Sequence, residues 1–146
     1  MIPDFDVTTG NLPSGEHLAT WQELVDRFGH TPWRRRLLAG LLDALRLLKA
    51  AGCRRAYIDG SFVTAKEEPG DFDACWDADG IDFDRVDERL LTFDRGRATQ
   101  KAAFLGELFI ADGRADPQGR LFRDFFQTDR DGRRKGIVVV DLKDLP

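Results

Sequence analysis

Apolar positions along the chain follow two periods. From Thr31 to Ala50, Leu37, Leu38, Leu41, Leu42, Leu45 and Leu48 recur three and four residues apart, the spacing of one helix face. Thr31 stands where an N-cap belongs, Pro32 occupies the first turn, where its missing N–H breaks no bond, and Gly52 supplies a stop. Ahead of this helix, "TWQE" places Glu23 three residues after Thr20, a capping box for a short helix ending at Gly29. Four runs change to period two or to β-branched residues and predict strands: "RRAYIDG" (54–60), "DFDACWD" (71–77), "ELFIA" (107–111) and "GIVVVDL" (136–142). In the second of these, Phe72, Ala74 and Trp76 take one face while Asp71, Asp73 and Cys75 take the other. Helical spacing returns in "FDRVDERLLTF" (83–93) and "GRATQKAAFL" (Gly96–Leu105). "LFRDFFQ" (121–127) predicts a short helix whose apolar face is Phe122, Phe125 and Phe126. Residues 1–19, rich in Gly, Pro, Thr and Asp, read as an extended arm.

The resulting order, α–β–β–α–β–α–β, predicts an α+β fold (mixed α/β): a small mixed sheet of about four strands with helices mainly on one face. Residues 20–146 form one domain behind the arm, with no repeat, linker or low-complexity tract. The formal net charge of −4 gives no bulk attraction to nucleic acid or an anionic membrane. Basic residues do cluster at Arg34–Arg36 and in "DRDGRRK" (Asp129–Lys135), as a solvated helix end and turn or as a local basic patch. Cys53 and Cys75 lack CxxC spacing and a nearby histidine, so they read as small apolar residues in a reducing cytosol rather than zinc ligands. The N-terminus lacks a signal-peptide pattern and no apolar run is long enough to span a bilayer, which predicts a cytoplasmic protein with no membrane partner.

Candidate chemistry concentrates in "AYIDGSFVTAKEEPGDFDACWD", Ala56 to Asp77. Gly60–Ser61 follows a strand and opens a turn, where free backbone N–H groups and a hydroxyl make an anion seat. Strand alternation sets Asp71 and Asp73 side by side, about 7 Å apart. Two like charges that close call for a cation, and hard oxygen ligands suit Mg²⁺ or Mn²⁺. The alternative is that one carboxyl is protonated, as half of an acid/base pair. A phosphate seat beside a metal-binding pair equips a protein for phosphoryl or nucleotidyl transfer. Singly, a Gly-Ser turn and an exposed Asp-x-Asp are commonplace; the pairing across a strand–turn–strand unit is what points to function. Lys66, in the intervening loop, reaches a phosphate or is simply solvated. Asp59 caps the turn or faces water, and Tyr57, Phe62 and the Phe122–Phe126 cluster read as core.

Strand, Gly60–Ser61, loop, then Asp71-x-Asp73 on the next strand resembles the signature of the DNA-polymerase-beta-like nucleotidyltransferase superfamily, above all its minimal nucleotidyltransferases. From "LPSGEH" through "GSFVTAKEEPGDFD" to "FFQTDRDGRRKGIVVVDL" the chain also resembles an uncharacterised bacterial family of stand-alone proteins of this kind. The superfamily resemblance implies Mg²⁺-dependent transfer of a nucleoside monophosphate from an NTP, ATP first, to a hydroxyl of a protein or RNA. It implies that Gly60 and Ser61 hold the triphosphate and that Asp71 and Asp73 bind the metal ions. A third carboxylate is expected on a neighbouring strand, with Glu107 first, Asp141 second and Asp112 third. Minimal members act as antitoxins that nucleotidylate a cognate toxin, and related ones modify tRNA ends, which implies a toxin–antitoxin or defence module. A competing expectation is a catalytically weak binding module on the same fold, an antitoxin or nucleotide sensor. A purely structural subunit is a third. The arm and the basic turn offer surface for a macromolecular partner or a homo-oligomer.

Overall fold

The computed structural model describes residues 1–146. Five strands form one mixed sheet: β1 (Gly15–Ala19), β2 (Arg55–Asp59), β3 (Phe72–Trp76), β4 (Gly106–Ile110) and β5 (Gly136–Asp141), in the order β1-β5-β2-β3-β4. The outer pairs β1–β5 and β3–β4 are parallel, and β5–β2 and β2–β3 are antiparallel. Four strands lie where the period-two runs predict them. The fifth corrects the expected count of four. The end of the predicted arm is β1, running beside β5 with Leu18 opposite Val139. Ile2 and Leu12 of the same segment are buried, so the arm is folded onto the sheet rather than left extended.

The helical start signals operate as the sequence implies. Thr20 Oγ1 accepts the Glu23 N–H at 3.1 Å, and the Glu23 carboxylate accepts the Thr20 N–H at 3.3 Å, opening α1 (Trp21–Phe28). Thr31 caps α2 (Pro32–Ala50) by accepting the Arg34 N–H at 3.0 Å. Leu37, Leu41, Leu45 and Leu48 of α2 are buried against Ile58, Ala74, Trp76, Leu108 and Val138 in the main core. Each fully buried leucine of this kind contributes about 1.5–3 kcal/mol. The helix α3 (Ala98–Phe104) ends against α2 at Gly40, where a Cβ would sit 1.9 Å from the Phe104 carbonyl oxygen. Residues 83–93 depart from the predicted helix and form two 3-10 turns, Phe83–Arg85 and Glu88–Leu91. Asp82 and Asp87 cause the break, since each carboxylate accepts the backbone N–H two residues on and restarts the turn.

The opposite face of the sheet carries Tyr57, Cys75, Ile137 and Val139, packed against Phe109, against Phe122 of the short α4 (Phe122–Phe125) and against Phe126 that caps it. Both cysteines are free and buried. No helix is long and apolar enough to cross a membrane. The second cluster covers part of this face, and the end of the sheet beyond it carries charged residues.

Candidate active site

Strand register builds that charged end. Asp59 is the partner of Asp73 across the antiparallel pair β2–β3, and Asp73 is the partner of Glu107 across the parallel pair β3–β4. These three carboxylates therefore form one row on one face, with neighbouring Cα atoms about 4.5–5.5 Å apart. Asp71 sits two residues before Asp73, on the same side. Asp71 and Asp73 line a cleft of about 750 Å³ together with Gly60, Ser61, Thr64 and Lys66. Gly60, Ser61, Lys66, Asp71 and Asp73 thus share one cavity, and Glu107, expected with them, is not among its lining residues.

Gly60 is required where it stands. Its φ is +75°, and a Cβ would lie 2.3 Å from Asp73 Oδ2. Gly60–Val63 is a single 3-10 turn, closed by Thr64 Oγ1 donating to the Ser61 carbonyl at 2.7 Å. Arg34 holds the loop beyond it. Its guanidinium is fully buried, donates to the carbonyls of Phe62 (2.7 Å), Thr64 (3.1 Å) and Lys66, and lies 5.1 Å over the Phe62 ring. Burial pulls its pKa down from the usual value, and the ring of carbonyls offsets that desolvation. The neighbouring Trp33 Nε1 donates to Pro69 O at 2.6 Å. The start of α2 therefore fixes the loop between Gly-Ser and Asp-x-Asp, and Arg34 is no part of a solvated basic run.

The carboxylates differ sharply in their surroundings. Burial, then the charges of Asp71 and Glu107, raise Asp73 from 3.8 to about 7. Burial, then Glu107, raises Asp71 as well. Asp59 is fully buried and neither of its oxygens has a hydrogen-bond partner. Burial and the Asp73 charge hold it well above the usual carboxylate range. It makes no capping bond to the turn and does not face water, which corrects both sequence expectations for it. Its alternation with Tyr57 was the available signal for its face.

Glu107 has company. Its Oε1 lies 3.1 Å from Lys101 Nζ of α3 and 3.5 Å from Arg97 Nη2. Asp141 pairs with Arg55, four residues along β2 from Asp59 and so about 13 Å from the row. It accepts the Lys143 N–H at 3.0 Å, and Asp112 follows β4 beyond its far end. Neither alternative third carboxylate reaches the cleft, and no three acidic side chains converge as a ready-made ligand set. The residues nonetheless fit a hard divalent cation, because Asp59 leaves two buried oxygens without partners beside Asp73.

The other wall of the cleft is basic and aromatic: Arg120, Phe125, Phe126, Arg130 and Lys135. Lys66, Arg130 and Lys135 form no ion pair. The Arg120 guanidinium lies 5.2 Å over the ring of Phe125, which is exposed. The β-bridge between Thr128 and Arg134 folds the "DRDGRRK" turn back, so that the local basic patch faces the carboxylates. Acidic floor and basic wall together match a polyphosphate carried with a divalent cation.

Fold and site thus define a mixed α+β domain with a charged cleft at one end of its sheet. The chain belongs to DUF6932, a family of unknown function, whose sequence profile matches residues 3–141. No curated protein and no solved structure matches it.

Proposed function

We propose that this protein is a Mg²⁺-dependent nucleotidyltransferase that moves a nucleoside monophosphate from an NTP, ATP first, to a hydroxyl of a protein or RNA. The observation that carries this reading is the joining of Gly60–Ser61, Asp71 and Asp73 in one cleft with unpaired Lys66, Arg130 and Lys135. Gly60 and Ser61 seat the phosphates, with Lys66 and Lys135 neutralising them. Asp71 and Asp73 would hold a divalent cation, whose contribution there would be charge neutralisation on the phosphates and a lowered pKa of the acceptor hydroxyl. The acceptor oxygen forms a bond to the α-phosphorus, and the bond from that phosphorus to its bridging oxygen breaks. Pyrophosphate leaves with the bonding electrons, and the acceptor proton passes to water. Phe125, beside Arg120, offers its exposed ring to the base.

The acceptor in this reading is a hydroxyl of a separate protein or RNA, such as a cognate toxin of a two-gene defence module. One observation favours a second reading, a nucleotide-binding module with little turnover: Glu107 is engaged by Lys101 and Arg97 instead of facing the cleft freely. Thermal melting with ATP, Mg²⁺ and both together tests nucleotide binding. Stabilisation by the pair, little by either alone, and loss of the effect in Asp73→Asn are expected. An undiminished response in Asp73→Asn removes the site from consideration.

A further inference from the structure

A carboxylate buried without a hydrogen bond or ion pair is among the costliest arrangements a fold can hold. Asp59 is such a group: it is 0% exposed and both oxygens lack partners. Its neighbours offer no relief. Tyr57, two residues back on the same face, has its hydroxyl engaged by Arg123 Nη1 at 3.4 Å. The flanking position on β5 is Ile137, an apolar side chain. Lys135 acts on Asp59 at a distance and forms no ion pair with it. The closest charge in the register is another carboxylate, Asp73.

Glu107 presents the opposite case. Lys101 and Arg97 already neutralise it, so moving it toward a cation breaks two ion pairs. Gly60 completes the contrast. Its missing Cβ is what lets the Asp73 carboxylate stand against the end of β2, next to Asp59.

We propose that Asp59, rather than Glu107, is the third carboxylate of the divalent-cation site, holding the cation jointly with Asp73 from the inner side of the cleft. This rests on the cleft being a Mg²⁺–nucleotide site. Asp71 and phosphate oxygens then complete the shell from the cleft side, as Mg²⁺ and Mn²⁺ accept all-oxygen sets of about six ligands. A cation there would give the unpartnered Asp59 oxygens the ligand they lack, and Glu107 stays a partner of α3 beside the β4 edge.

Mn²⁺ titration monitored by the EPR signal of the free ion, with and without a non-hydrolysable ATP analogue, tests the assignment on the full chain. Asp59→Asn is expected to weaken Mn²⁺ binding in the presence of the analogue at least tenfold, and Glu107→Gln less than threefold. Asp59→Ser serves if circular dichroism shows the Asn variant unfolded. Asp59 variants that bind Mn²⁺ within threefold of wild type overturn the assignment and leave the nucleotide site standing. A tenfold loss in Glu107→Gln alone returns the role to Glu107. A wild type that binds no Mn²⁺ under either condition overturns the assignment together with the transferase reading.

Discussion

Asp73→Asn should weaken a pH dependence that the wild type carries in the absence of ligands. The Asp73 carboxyl is raised from 3.8 to about 7, burial first and then Asp71 and Glu107 being the cause. In the unfolded chain it loses its proton near its ordinary value; in the folded chain it keeps it to about 7. Between those two values the folded state binds more protons, so stability falls as pH rises through the window. From pH 5 to pH 8 the folded group spends about 2 pKa units in this regime, at about 1.4 kcal/mol each, so Asp73 alone removes about 3 kcal/mol. Asparagine keeps the shape and removes the charge. Its variant should lose about 3 kcal/mol less than wild type over that range, or roughly 6–12 °C of melting temperature for a domain of this size. Asp59 adds a slope of the same sign, which persists in the variant because burial, the first cause of its shift, remains when the Asp73 charge is removed. Urea unfolding at pH 5 and pH 8, followed by tryptophan fluorescence, measures the difference directly. Equal slopes for variant and wild type would show that Asp73 is not held in the buried, like-charged setting described above.

Removing the Arg34 guanidinium should loosen the loop that follows Gly60–Ser61. Arg34→Met leaves the carbonyls of Phe62, Thr64 and Lys66 without their donor, costs about 3 kcal/mol or more, and speeds amide exchange over residues 60–68. Gly60→Ala places a methyl on the Asp73 carboxylate at a φ of +75°, so urea unfolding should show a loss of about 1–2 kcal/mol and MgATP should no longer raise the melting temperature. Phe125→Ala should weaken ATP binding by about tenfold, the worth of one base-stacking ring, while calorimetry finds inorganic tripolyphosphate bound as tightly as before.

Much of the architecture was legible because burial imposes a period. The leucine stripe of α2, the caps at Thr20 and Thr31 and the alternation of Phe72, Ala74 and Trp76 all reappear in the structure. The strand β1 was not legible: "GEHLA" has no β-branched residue, and its pairing partner lies near the other end of the chain. The spacing of residues 83–93 fits a helix, but two aspartates compete for the backbone and win. Arg34 sits in a run of three arginines, which normally means solvent, and only the loop carbonyls folding over it bury the first of them. Lys135 needed the turn at Thr128–Arg134 to bring it over the carboxylates. Within the site, Gly60, Ser61, Asp71 and Asp73 were readable from strand period and spacing. The burial of Asp59 and the ion pairs of Glu107 depend on register and on α3, which no local pattern encodes.

Transfer of label from NTP to an acceptor tests the nucleotidyltransferase proposal most directly. The protein is incubated with Mg²⁺ and each of the four NTPs labelled at the α-phosphate, together with protein and RNA fractions of its native host. Covalent label on one protein or RNA species is predicted with wild type, absent with Asp73→Asn and absent when a chelator removes the metal. No label from any NTP, or label that persists undiminished in Asp73→Asn, would contradict the account.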